Sequence, residues 1–237
     1  MTIFEPVRHN LPNILTLGNL VAGSCAIAAL FTHHPVATLI LAILCLFLDV
    51  LDGFLARRLK TTTELGLHLD SLADLVSFGV LPGCILYFLL QAVCPNAQLP
   101  SWLPYAAFLV TAGVALRLAH YNVDIRERTV FFGLPTPGAA TLIFGFLWMY
   151  VDQHQWWSFV CSATFLFSLV IILPLLMLSN IRLWSLKGLP ERNGKLILFA
   201  LLSVFALLML VIGSAGVSLM VVVYIVFGII NHYLKLY

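Results

Sequence analysis

Four carboxylates lie in or beside very apolar sequence in the first third of the chain. Leu41–Leu48 before them and Leu75–Leu90 after them contain no charged residue. A carboxylate in such surroundings is costly unless it is paired, protonated or bound to a metal, so it indicates a functional site. The four residues are Asp49, Asp52, Asp70 and Asp74.

The spacing around these acids predicts two helices, each with acids and small residues on one face. On a helix that ends near Lys60, the positions i, i+3, i+4 and i+7 are Asp49, Asp52, Gly53 and Ala56. On a second helix, the positions i, i+4 and i+8 are Gly66, Asp70 and Asp74.

A short turn over Arg58–Leu65 would make these two helices antiparallel and bring the four carboxylates together. Clusters of oxygen ligands suit hard divalent cations such as Mg²⁺, Mn²⁺ or Ca²⁺. Glycine and alanine beside the acids leave room for a flat or bulky group to approach the backbone. The pattern therefore predicts a metal site that accommodates a large ligand.

The spacing Asp-x2-Asp-Gly-x2-Ala-Arg-x8-Gly-x3-Asp-x3-Asp, from Asp49 to Asp74, is met at all eight fixed positions. It resembles the signature of the CDP-alcohol phosphotransferases, integral membrane enzymes that move a phosphoalcohol from a CDP-linked donor to an acceptor hydroxyl. A purely structural interpretation, in which the acids pair with Arg57, Arg58 and Lys60, accounts for the charges but not for the glycines and the alanine.

The resemblance implies roles for individual residues, and it implies Mg²⁺ or Mn²⁺ as the cofactor. Asp49, Asp52 and Asp70 would be metal ligands, and Asp74 would be the catalytic base and a further ligand. Gly53, Ala56 and Gly66 would make room for the cytidine nucleotide. The same resemblance extends nucleotide binding to Asp49, Asp52, Arg57 and Asp70. The residues alone do not separate base from ligand among the four acids.

The composition predicts an all-α, polytopic membrane helix bundle. The chain is 62% hydrophobic and 9% charged, against about 25% charged in soluble proteins. We expect a single integral membrane domain over residues 1–237, with a catalytic core over about 11–190 and extra C-terminal helices over about 195–235. The eight predicted transmembrane helices are 11–32, 34–58, 66–93, 100–122, 135–152, 155–180, 195–213 and 215–235.

The basic residues predict the orientation in the membrane. When the eight helices are followed in order, all 12 Lys and Arg residues fall on one side. By the positive-inside rule, the acids and both termini then face the cytoplasm, which indicates the cytoplasmic membrane. The basic side would attract anionic membrane lipids, and no pattern indicates nucleic-acid binding. The residues are Arg8, Arg57, Arg58, Lys60, Arg117, Arg126, Arg128, Arg182, Lys187, Arg192, Lys195 and Lys235.

The first predicted helix carries a polar face of its own. Asn13 precedes its apolar run and could cap it. Thr16, Asn19 and Gly23 share one side of the helix. We favour an interface with another helix as their role over direct contact with a substrate.

Arg117 lies within an apolar run and therefore needs an anionic partner. The block Arg117–Arg126, followed by Phe132–Ala140, resembles the serine-transferring branch of the family, in which Arg-Leu-Ala-Arg-Phe-Asn precedes Phe-x-Gly-Leu-Pro-Ser/Thr-Pro. His120 and Tyr121 depart from that pattern, whereas Arg117 and Asn122 match it.

Further basic residues extend this predicted substrate site. Arg182 could bind a phosphate of the donor, or it could extend to the lipid head groups from the end of its helix. The residues expected to bind substrate or phosphate are Arg117, Asn122, Arg126, Arg182 and Lys187, and Arg128 is a further candidate.

The resemblance implies transfer of a phosphatidyl group from CDP-diacylglycerol to the hydroxyl of L-serine, with release of CMP, by a homodimer. One alternative keeps the chemistry and changes the acceptor to glycerol 3-phosphate or an inositol phosphate, or the lipid to an archaeal ether lipid. Another alternative is a transporter or channel whose intramembrane acids bind protons or cations. The spacing of Gly53, Ala56 and Gly66 favours the enzyme, because a cation path does not need it.

Overall fold

The fold is a bundle of helices joined by short connections. The computed structural model describes residues 4–59, 61, 63–94, 98–123, 131–157, 162–183, 208 and 211–234. The α-helices are α1 (Phe4–Phe31), α2 (Pro35–Leu59), α3 (Glu64–Leu75), α4 (Leu81–Val93), α5 (Phe108–Val123), α6 (Thr136–Val151), α7 (Ala163–Leu178) and α8 (Ala215–Leu234). A π-helical turn covers Val76–Val80, a 3-10 turn covers Leu103–Ala107, and two short strands are β1 (Phe131–Phe132) and β2 (Arg182–Leu183).

Helices α1 and α2 form a closely packed antiparallel pair. The side chains at their interface are small and buried, including Ala22, Ala26, Ala42 and Cys45. Small residues let two helix backbones approach closely, which is how helices gain packing energy in a membrane. The hydroxyl of Thr38 also donates to the carbonyl of Ala26 at 3.2 Å, so the pair is joined by a polar contact as well.

The segment from Glu64 to Val93 is one long helix interrupted by the π-helical turn. At its start, the side chain of Thr63 caps the helix by accepting from the N–H of Gly66 at 3.0 Å. Within the π-helical turn, the N–H of Leu81 bonds to the carbonyl of Val76, five residues earlier. The hydroxyl of Thr111 donates to the carbonyl of Gly79 at 2.9 Å and so stabilises the turn from α5.

Helices α4 and α6 form the centre of the bundle. Leu86, Leu89 and Leu90 of α4 and Ile143 and Leu147 of α6 are fully buried. α8 packs against α6, and α7 packs against α5. This core carries no charged residue among the described positions, so the polar chemistry is left to the ends of the helices.

Strands β1 and β2 pair antiparallel and join the segment before α6 to the segment after α7. Gly133 follows β1, and its N–H donates to the carbonyl of Ile181 at 2.9 Å. The φ of Gly133 is +69°, a left-handed conformation that favours glycine. The pairing places the Gly133–Pro137 region beside Arg182 in the fold.

The length and composition of the helices identify an integral membrane protein. Four of them are long and apolar enough to cross a bilayer, namely Asn10–Phe31, Pro35–Leu59, Glu64–Val93 and Leu103–Val123. These correspond to the first four predicted spans, and the all-α prediction is confirmed apart from the short β1–β2 pair.

The later predicted spans correspond to shorter helices or lie outside the described residues. The apolar helices Thr136–Val151, Ala163–Leu178 and Ala215–Ile230 match the fifth, sixth and eighth spans in place. The sequence predicts a sixth span that begins at residue 155, whereas α7 begins at Ala163. Most of the predicted span over 195–213 lies outside the described residues, so eight spans remain a prediction.

Candidate active site

One end of the bundle gathers the polar side chains of five helices. We call it the site end and define it by the contacts Thr16–Asp52, Asn122–Ser71 and Arg117–Thr136, which join α1 to α2, α5 to α3 and α5 to α6. The connection between α2 and α3 and the start of α6 therefore lie at the same end of the molecule.

Three of the four predicted acids meet at the site end. Asp49, Asp70 and Asp74 each offer one carboxylate oxygen, and these three oxygens all lie within 4.8 Å of one another. Asp74 is buried, with 8% of its surface exposed, and its Oδ1 has no hydrogen-bond partner. Asp49 and Asp70 are partly exposed. We call these three residues the carboxylate triad.

The carboxylate triad fits a divalent metal ion. Ionised carboxylates whose oxygens lie within 4.8 Å of one another repel unless a proton or a cation lies between them. An all-oxygen donor set of this kind suits Mg²⁺ or Mn²⁺. A metal held there would neutralise charge on anionic oxygens of a ligand, such as those of a phosphate.

Asp52 is not part of the carboxylate triad, although it lies within electrostatic range of all three of its members. Its side chain is 4% exposed, and its Oδ2 accepts a hydrogen bond from the hydroxyl of Thr16 at 2.6 Å. Asp49 and Asp52 are three residues apart, so they share a face of α2 while Asp52 lies about one turn nearer its end. The structure thus assembles three carboxylates and anchors the fourth to α1.

The glycines of the signature lie beside polar groups. A Cβ at Gly53 would be 3.5 Å from Nη1 of Arg57, the end of a flexible and exposed side chain. A Cβ at Gly66 would be 3.1 Å from both Asn13 Oδ1 and Thr63 Oγ1. The guanidinium of Arg57, which can move, therefore bounds the space at Gly53. The polar side chains of Asn13 and Thr63 bound the space at Gly66. Ala56, one turn beyond Gly53 on α2, is partly exposed.

Arg117 and Asn122 both reach the site end from α5. Arg117 Nη1 donates to Thr136 Oγ1 at 3.4 Å, and Arg117 lies within electrostatic range of Asp74. Asn122 Nδ2 donates to Ser71 Oγ at 2.9 Å, next to Asp70 in the chain. Arg117 Nε and Asn122 Oδ1 are buried without hydrogen-bond partners. Both predicted residues therefore present unused polar atoms.

The structure describes less of the other residues that are predicted to bind substrate. The backbone of Arg182 pairs with Phe132 in the β1–β2 pair. Arg126, Arg128 and Lys187 lie outside the described residues. His120 is exposed near the end of α5.

Sequence reasoning missed the contacts of three hydroxyl residues. Thr16 shares a helix interface as predicted, but its hydroxyl contacts an acid of the signature. Ser71 and Thr136 were not singled out, although they are the partners of Asn122 and Arg117. Ser71 directly follows Asp70, and Thr136 lies between two prolines. Their position within the two motifs is therefore the signal that could have identified them as site residues.

The family model for CDP-alcohol phosphatidyltransferase matches residues 9–230 of the chain. The chain belongs to this family. The match runs from α1 into α8. A carboxylate triad at the end of membrane helices is consistent with the reaction class of this family.

Curated relatives of this CDP-alcohol phosphatidyltransferase family member share a name. A protein of Helicobacter pylori is 31% identical over 222 residues, which are 93% of this chain and 90% of the relative. A protein of Methanocaldococcus jannaschii is 29% identical over 94% of both chains. A protein of Bacillus subtilis is 33% identical over 55% of this chain and 71% of the relative. Each is named CDP-diacylglycerol–serine O-phosphatidyltransferase.

Proposed function

We propose that this chain is a CDP-diacylglycerol–serine O-phosphatidyltransferase, which converts CDP-diacylglycerol and L-serine to phosphatidylserine and CMP. The observation that carries the proposal is its similarity to relatives of that name over 93% or more of the chain, in a bacterium and an archaeon. The carboxylate triad supplies a site where such chemistry can occur.

The reaction displaces one side of a pyrophosphate link. The serine hydroxyl oxygen forms a bond to the phosphorus that carries diacylglycerol, and the bond from that phosphorus to the bridging oxygen of CMP breaks. The hydroxyl proton passes to a carboxylate, and Asp74 is the proposed base. Asp74 is the most buried member of the carboxylate triad, and its Oδ1 is free of protein partners.

The other acids and the small residues bind the donor in this proposal. Asp49, Asp52, Asp70 and Asp74 would hold Mg²⁺ or Mn²⁺, with Asp52 offering the oxygen that Thr16 does not contact. The cytidine nucleotide lies along Gly53, Ala56 and Gly66, near Arg57. Because the guanidinium of Arg57 lies beside Gly53, it is placed to pair with a phosphate of the donor.

Serine binds between α5 and the carboxylate triad in this proposal. The carboxylate of serine would accept a hydrogen bond from Arg117 Nε, and the ammonium of serine would donate one to Asn122 Oδ1, since neither atom has a partner within the protein. These two atoms offer one donor and one acceptor, which is the complement of an amino acid's two charged groups. Arg126, Arg182 and Lys187 stay proposed partners of phosphate or carboxylate oxygens.

We further propose that the site end faces the cytoplasm at the cytoplasmic membrane, and that two copies associate as a homodimer among membrane lipids. The one-sided distribution of all 12 Lys and Arg residues supports the orientation. Chemical cross-linking in native membranes, followed by mass measurement in detergent, tests the dimer.

The decisive experiment supplies purified protein with CDP-diacylglycerol and one acceptor at a time, namely L-serine, glycerol 3-phosphate or an inositol phosphate. We expect phosphatidylserine as the main lipid product, identified by mass spectrometry, together with an equal amount of CMP. For Asp→Asn variants of the signature acids, Asp152→Asn is the control, because it makes the same change at the other end of the bundle, where Asp152 accepts from Ser214. Phosphatidylglycerophosphate or a phosphoinositide as the main product would overturn serine as the acceptor.

A further inference from the structure

Thr16 makes a direct contact between α1 and the signature acids on α2. Its Oγ1 lies 2.6 Å from Asp52 Oδ2, and both side chains are 4% exposed. The contact joins residues that are 36 positions apart in the sequence.

The single hydroxyl proton of Thr16 has two acceptors within reach. Besides Asp52 Oδ2, the carbonyl of Pro12 lies 3.0 Å from Thr16 Oγ1. That carbonyl is also the helical acceptor for the N–H of Thr16, four residues later. A carboxylate is the stronger acceptor, and hydrogen bonds to charged oxygens are short. The hydroxyl therefore donates to Asp52.

We propose that Thr16 is the positioning residue of Asp52. Its hydroxyl donates to Oδ2 and fixes the rotation of the carboxylate, which presents Oδ1 as the oxygen that would bind a divalent metal. The inference rests on the metal-dependent function proposed above. It also gives α1, which carries none of the signature residues, a defined part in the site.

The position of Asp52 explains why it needs such a partner. Asp52 lies within electrostatic range of all three acids of the carboxylate triad, but its oxygens are not among those that lie within 4.8 Å of one another. A carboxylate can turn about its own side-chain bonds unless neighbouring groups hold it, and each turn changes which oxygen is presented. Groups that orient a metal ligand typically change metal affinity by about 10- to 100-fold when they are removed.

The test compares three variants of the full chain in detergent. T16V removes the hydroxyl and keeps the shape of the side chain, while T16S keeps the hydroxyl. T38V is the matched control, because Thr38 is also fully buried and bonds across the α1–α2 interface, to the carbonyl of Ala26. Binding of Mn²⁺ alone is measured by the loss of the free-ion signal in electron paramagnetic resonance, with no substrate present.

We expect T16V to bind Mn²⁺ about 10- to 100-fold more weakly than the wild type, and T16S and T38V to bind it as the wild type does. In phosphatidyl transfer, the Mn²⁺ concentration for half-maximal activity should rise for T16V by the same factor, with the KM for serine unchanged. Circular dichroism and gel filtration check folding, and T16A replaces T16V in the comparison with T16S if T16V does not fold.

Two results overturn the inference. If folded T16V binds Mn²⁺ with the wild-type affinity, Thr16 does not position a ligand, while phosphatidyl transfer by the wild type leaves the proposed function standing. If T38V weakens binding as much as T16V, the effect belongs to helix packing. A wild-type protein that makes phosphatidylserine without binding Mn²⁺ would reject the metal role of Asp52 itself, and with it the inference.

Discussion

Among the described residues, six buried side-chain atoms have no hydrogen-bond partner, and they belong to Asn19, Thr61, Asp74, Arg117 and Asn122. These residues lie at the site end or within about one helical turn of its contacts. A buried polar atom without a partner costs about 1–3 kcal/mol, so a concentration of them in one region indicates groups reserved for a ligand. The site end is therefore where substrate and metal are expected.

Asp74→Asn tests the assignment of the base. The amide keeps the size of the side chain but cannot accept the serine proton, so we expect turnover to fall by about 100-fold or more. Binding of CDP-diacylglycerol should be largely retained. Turnover and donor binding are measured on the same preparation, with Asp152→Asn as the control. Near-normal turnover would move the base to another acid of the site.

Removal of divalent metal tests the carboxylate triad as a whole. Because its oxygens lie within 4.8 Å of one another, we expect phosphatidyl transfer to stop in excess chelator and to return with Mg²⁺ or Mn²⁺. Circular dichroism before and after chelation separates loss of metal from loss of fold. Transfer that continues undiminished after thorough chelation would contradict a metal role for these acids.

At the scale of elements, two irregular segments connect the site to the bundle. The π-helical turn Val76–Val80 begins two residues after Asp74, and it sets the rotation of α3 relative to α4. Ser77 within it donates to the carbonyl of Asn19 at 3.2 Å and so ties the turn to α1. The β1–β2 pair holds the start of α6, where Thr136 contacts Arg117.

Gly133→Ala tests the second of these connections. Gly133 has a φ of +69°, which costs an L-residue about 1–2 kcal/mol. The added Cβ would also collide with the carbonyl of Met177. We expect a lower thermal unfolding temperature and weaker serine use, seen as a raised KM, because Thr136 follows this turn.

Gly138→Ala is the matched control for Gly133→Ala. Its added Cβ would lie 3.7 Å from Leu134 Cδ1, an ordinary contact, within α6. Alanine favours a helix over glycine by about 1 kcal/mol, so this variant should be as stable as the wild type or more so. Equal loss of stability in the two variants would show that the left-handed turn at Gly133 is not the reason.

At the scale of the whole molecule, polarity is distributed unevenly along the bundle axis. The site end contains the carboxylate triad together with Asp52, Arg57 and Arg117, whereas the buried core between the ends contains no charged residue among the described positions. The opposite end has Asp152 and His154 near the end of α6. A donor with two acyl chains can therefore keep its chains beside apolar helix faces while its head group reaches the acids.

The orientation is tested by tags at the two ends of the chain. All 12 Lys and Arg residues are assigned to one side, so both ends should be protected from reagents added to intact cells and become reactive after permeabilisation. A cysteine or tag in the turn at His33–His34 is the control, and it should react from outside. An end that reacts in intact cells would contradict the proposed topology.

The sequence by itself determined the class of protein, the first four membrane helices and the family. These follow from local properties: apolar runs of membrane length, and eight signature residues at fixed spacing from Asp49 to Asp74. Helical periodicity alone was enough to place Asp49 and Asp52 on one face and Asp70 and Asp74 on another.

Only the tertiary structure decided which groups meet across helices. Periodicity does not give the rotation of one helix against another, so it could not separate the carboxylate triad from Asp52 or pair Asp52 with Thr16. Nor could it show that Asn122 contacts Ser71, 51 residues away. Those contacts depend on how side chains pack between helices, and helix packing is a property of the whole fold rather than of any single segment.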